Sequence, residues 1–191
     1  MSFRLIVFSA VLIAPAAILP AQTPVPPPQQ GIEPDWDIAQ VLQKIAAHAR
    51  NLSPFLDTIN ASSWIERGAS ETYAAQLDSS RQQVRAVADS ANALTRNPQK
   101  LAPALDLLFR IQAVETMLTS LQEGVRKYQS PVDAQKLARL VAENGANRDR
   151  LQHYIVNLAA EREQDLQVMD REAQRCRAML TQAPNRAQRK K

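Results

Sequence analysis

The chain has 191 residues, with 23 Lys+Arg, 19 Asp+Glu, 12 Pro, two His, one Cys and four Gly. Glycine at about 2% against a usual ~7% excludes a fold rich in tight turns or phosphate-cradling loops. A single cysteine excludes an intramolecular disulfide framework and any multi-thiolate metal site. Thirty Ala, 20 Leu and 19 Gln supply strong helix formers, and the expected class is an all-α, antiparallel bundle of about four helices.

Residues 1–21 read as an export signal. Arg4 gives one positive charge, and Leu5 to Leu19 is a fifteen-residue uncharged, mostly apolar run. A membrane-spanning helix needs about 20 such residues, and Pro15 interrupts these. An apolar stretch of roughly 7–15 residues before a small-residue cleavage site marks a secretory signal. Cleavage is expected near Ala21, with Ala14-Pro15-Ala16 the other site and retention as an uncleaved anchor the competing reading. Residues 22–34 carry Pro24, Pro26, Pro27, Pro28 and Pro34. Proline lacks an N–H and fixes φ, so an extended tether is expected there.

Residues 35–182 are expected to form the bundle. Asp35 can cap a first helix over about 36–60, bent at Ser53-Pro54. Ser63-Trp64-Ile65-Glu66 matches a capping box opening a second over 64–96. Asn97-Pro98 and Ser130-Pro131 each set a capping side chain before a proline at the first helical position. These open a third helix over 98–129 and a fourth over 131–182, with Pro103 able to delay or kink the third. Apolar residues step 3-4-3-4 along each, the spacing of rods packed nearly parallel. The series are Ile38 to Ile59, Tyr73 to Leu94 (with Ser80 as a polar interruption), Ala104 to Tyr128, and Ile155-Ala159-Arg162-Leu166-Met169-Ala173-Cys176-Leu180. The fourth segment is longer than its partners, so one end should overhang. Asn144-Gly145 is where it can break, and a continuous or kinked helix is expected. Residues 183–191 are expected to be a disordered basic tail.

Residues 35–183 hold 18 basic and 18 acidic side chains, so the pI of about 9.5 reflects the tail. That balance predicts no nucleic-acid partner, which needs a basic face on the folded part. The tail's Arg186, Arg189, Lys190 and Lys191 allow a weak, salt-sensitive contact with anionic lipid or envelope polymer. No cofactor or metal is expected. A di-iron bundle needs Glu-x-x-His, whereas Ile45 precedes His48 by three and Arg150 precedes His153. Asp149 and His153 share a face, but two ligands do not hold a metal alone. Cys-x-x-Cys-His for haem is absent.

No nucleophile and base are paired, so the chain is expected not to be an enzyme. Two residues are out of character for a core register: Arg162, which must pair with a carboxylate or snorkel outward, and Cys176, expected to pack as a small buried hydrophobe. Trp64 and Arg67 at one corner, and Arg148 and Tyr154 in the polar run after Asn144, are candidate interaction residues. For Trp64 the plainer expectation is a corner that covers the core end.

Leu118-Thr119-Ser120-Leu121-Gln122 resembles the Leu-Thr-x-x-Gln motif of the periplasmic Spy/CpxP-like chaperones, small exported helical proteins. The resemblance covers five residues and implies a chaperone or stress protein that binds unfolded clients. The residues themselves point first to an exported, non-enzymatic interaction or scaffold protein of the cell envelope or exterior. Its protein partner is unspecified, with self-association through the fourth segment one route.

Overall fold

The computed structural model describes residues 35–182; the expected leader, tether and tail lie outside the described residues. Six helices follow: α1 (Asp35–Asp57), α2 (Ala61–Ile65), α3 (Thr72–Thr95), α4 (Leu101–Tyr128), α5 (Pro131–Ala142) and α6 (Gly145–Gln182). No strand occurs among the described residues. α1 packs on α3, α3 on α4, and α4 on both α5 and α6, while α6 closes the ring against α1. With α5 and α6 serving together as the fourth rod, the chain is an all-α antiparallel bundle, as the apolar spacing predicts.

The first three predicted seams form the core. Ile38, Leu42, Ile45, Ala49, Leu52, Leu56 and Ile59 are all buried, as are Leu77, Val84, Val87, Ala91 and Leu94 of α3. So is the α4 series from Ala104 through Leu107, Ile111, Val114, Leu118 and Leu121 to Val125. Each large aliphatic side chain withdrawn from water contributes about 1.5–3 kcal/mol, and this sum holds the rods together. Ser80 sits within the seam, fully buried, and its hydroxyl has no hydrogen-bond partner among the described residues.

Long polar side chains pin neighbouring rods by donating to backbone carbonyls. Arg81 of α3 donates to the Leu56 carbonyl at 3.0 Å and lies 3.4 Å from Asp57. That places a cation at the C-terminus of α1, where carbonyls lack intrahelical donors. Gln76 of α3 donates to the Met117 carbonyl of α4 at 3.3 Å.

Helix boundaries depart from the expectations in several places, beginning with α1, which includes Asp35 and ends at Asp57 rather than near residue 60. Asn60, rather than Ser63, caps the second helix: its Oδ1 accepts from the Ser63 N–H at 3.1 Å. Ser63 falls inside α2 and Glu66 at its C-terminal end, so the capping box does not form. α2 then stops in a Schellman motif. Gly68 takes φ +88°, its N–H reaches the Ile65 carbonyl at 2.9 Å, and the Ala69 N–H reaches Trp64 at 3.0 Å. The helix expected over 64–96 is therefore two, with α3 opening at Thr72.

α4 begins at Leu101, not Pro98. Pro103 lies in its first turn, where an N–H would have no intrahelical acceptor. The Ser130-Pro131 start is as expected, the Ser130 hydroxyl accepting from the N–H groups of Val132 at 3.1 Å and Asp133 at 3.3 Å. Between α5 and α6 the helix pauses at Glu143-Asn144. Glu143 keeps helical dihedrals (φ −58°, ψ −25°), and neither Asn144 nor Gly145 has a positive φ. The chain kinks without reversing.

Candidate functional site

Two places on the bundle depart from plain packing: the polar notch at the α5–α6 kink, and the free end of α6. At the kink, His48 of α1 bonds through Nε2 to the Leu140 carbonyl at 2.6 Å. That carbonyl belongs to the last turn of α5, where a straight helix would supply its own donor. On the other side, Arg148 of α6 makes a 2.8 Å ion pair with Glu115 of α4 and a 2.9 Å one with Asp149. The hydrogen bonds that the Arg148 guanidinium donates, to Glu115 first and then to Asp149, hold it above its ordinary value. A raised basic group contributes stability that is complete below its unfolded value and is lost only as pH rises through the folded one. Arg148 is therefore charged at neutral pH.

His48, Glu115 and buried Asn144, with Leu52, Val84 and Leu118, line a cavity of about 20 Å³ at this level. Such a space takes about one water and no substrate. Nε2 of His48 is engaged by a backbone carbonyl and Glu115 by a guanidinium. The notch thus locks a kink, and its groups are not convergent on a reacting atom. Among the described residues no group of three His, Cys, Asp or Glu side chains is placed to hold a metal.

The four candidate interaction residues do not form one exposed patch. Trp64 is fully buried, with its ring 5.7 Å from Tyr73 and 6.2 Å from Tyr128, and it covers the core end at the corner that α2 makes. Tyr154 is also buried, whereas Arg67 is exposed and bonds back to Ser63. Arg148 is half-buried in its ion pairs. The Leu118–Gln122 string puts Leu118 and Leu121 in the core and leaves Thr119 bonded to the Glu115 carbonyl.

The free end of α6 differs from the rest of the described residues. The Glu115–Arg148 pair fixes the register, and ten residues further on Leu158 comes level with the first turns of α4. Leu158 is the last buried residue among the described ones, and 162–181 are all exposed. From Arg162 to Gln182 the helix runs about 30 Å at 1.5 Å per residue, exposed at every residue through Thr181. Leu166 (64% exposed), Met169 (63%), Ala173, Cys176 and Leu180 (78%) form one stripe along it. Arg162 reaches Asp165 on its own helix at 3.3 Å rather than Glu115.

Cys176, expected to be buried, is a free, exposed thiol. Spacing placed it on an apolar stripe correctly, but the rods that would cover that stripe end too early. No helix among the described residues is long and apolar enough to cross a membrane. No family model, curated protein or solved structure matches the chain.

Proposed function

We propose that this is an exported, non-enzymatic interaction protein of the cell envelope or exterior, in which a four-rod body carries the distal half of α6 as a protein-binding arm. The observation that carries the reading is the uncovered 3-4-3-4 stripe from Leu166 to Leu180 on a helix that has left its own bundle. A soluble helix with such a stripe gains by covering it against another helix. Export rests on the charged, apolar and small-residue order of residues 1–21. The part-buried His48–Leu140 and half-buried Glu115–Arg148 contacts support the non-enzymatic part, since both are taken up in holding the kink.

The test is crosslinking in intact cells, comparing the full chain with one ending after Glu161. Discrete crosslinked products are expected from the full chain and none from the shortened one. Identical products from both would sink the arm as the binding element. A chaperone for unfolded clients is the second reading that an exposed apolar stripe supports. It predicts a continuous smear of unrelated partners in place of discrete bands.

A further inference from the structure

We propose that the arm's partner is a second copy of this chain, docked antiparallel along the Leu166–Leu180 stripe. This rests on the reading of the distal α6 as a binding arm and adds its mate and direction. Charge divides the arm lengthwise. Its first half, 161–170, holds Glu161, Glu163, Asp165 and Asp170 against Arg162 alone. Its second half, 171–182, holds Arg171, Arg175 and Arg177 against Glu172, and Arg186, Arg189, Lys190 and Lys191 follow in the sequence. An arm that is acidic near the body and basic toward its tip is complementary to itself only when reversed.

Register follows from the stripe. Setting Ala173 against Cys176 of the second copy puts two small side chains at the centre of the seam and Met169 against Leu180 on either side. This same setting brings Asp170 beside Arg177 of the second copy, twice by symmetry, because both flank the stripe on one side. Heptad packing places such flanking charges within reach of one another. A parallel pair gains Glu172 beside Arg177 but sets Asp165 beside Asp170, stacks Arg162 on Arg162 and aligns both basic tails. The exposed Cys176 thiols are then in one layer, whereas the antiparallel setting staggers them.

The experiment uses full-length protein carrying Cys176→Ser, with a single thiol introduced as Met169→Cys or Leu180→Cys, and a short bis-maleimide crosslinker. Met169 and Leu180 face each other across the antiparallel seam, but each is about 16 Å along the axis from its own counterpart, at 1.5 Å per residue. A mixture of the two proteins is expected to crosslink, and neither alone. Crosslinking of each alone would establish the parallel pair and overturn the proposal. Light scattering on the unaltered protein should give a dimer, with the dissociation constant rising about tenfold or more in Arg175→Glu/Arg177→Glu. Mixing that variant with Asp165→Lys/Asp170→Lys should restore association. A strict monomer at high concentration would remove the second copy as mate; if discrete crosslinks in cells still require the arm, the interaction reading stands with a different partner.

Discussion

Gly124 shows how one missing methyl group fixes a corner of the bundle. It lies buried in α4, and a Cβ there would come 2.8 Å from both the Trp64 and Tyr73 rings. Tyr73 meets both Trp64 and Tyr128 edge to face while Trp64 stacks on Tyr128, so moving either ring disturbs the other contacts. Replacing glycine by alanine inside a helix ordinarily gains up to about 1 kcal/mol, but overpacking a core costs about 1–3 kcal/mol. Gly124→Ala is expected to destabilise by roughly 1–2 kcal/mol in urea unfolding. Gly145 has nothing within 4 Å of a built Cβ and no positive φ, so Gly145→Ala should stabilise by about 0.5–1 kcal/mol. Opposite signs for the same substitution check that contact, and not helix propensity, decides at Gly124. A stabilised Gly124→Ala would mean that the aromatic corner is loose.

The fourth rod is made of two helices because polar groups from two neighbours hold its kink. Glu115 and Arg148 bridge α4 to α6 while half-buried, at side-chain exposures of 22% and 33%. Exposed pairs are worth at most about 1 kcal/mol, and partial burial puts this one near that upper end. Glu115→Ala and Arg148→Ala should each destabilise by about 1 kcal/mol, with a double-mutant coupling of about 0.5–1 kcal/mol. Additive losses would show that the pair carries no energy of its own.

Much of this layer was legible beforehand. Ser130-Pro131 marked the start of α5 correctly, because a hydroxyl before a proline has one good use. Ser63 misled, because Asn60 three residues earlier offers the same kind of acceptor and Gly68 ends the helix within two turns. Pairing was less legible still: an arginine such as Arg162 can be seen to need a carboxylate, but that Glu115 takes Arg148 instead depends on the register between rods. The His48–Leu140 contact spans 92 residues, and only a kink that frees a carbonyl reveals it.

Apolar periodicity tells which side of a helix is oily, not how far its neighbours extend. That is why the stripe through Leu166 and Cys176 reads in sequence like the buried ones and stands uncovered in the fold. The body is complete without it, since every buried residue among the described ones lies at or before Leu158. A chain ending after Glu161 should therefore unfold at the same urea midpoint, within about 0.5 kcal/mol, while losing helical circular dichroism in proportion to the residues removed. A large drop in midpoint would mean that the arm folds back onto the body.

Side chains after Arg162 answer to no interior. Substitutions there change whom the molecule meets and leave its folding untouched, so specificity in this architecture can drift or be redesigned a residue at a time. The same freedom leaves those turns open to proteases that cut after arginine, and a nick at Arg171 or Arg175 would release a folded body stripped of its address.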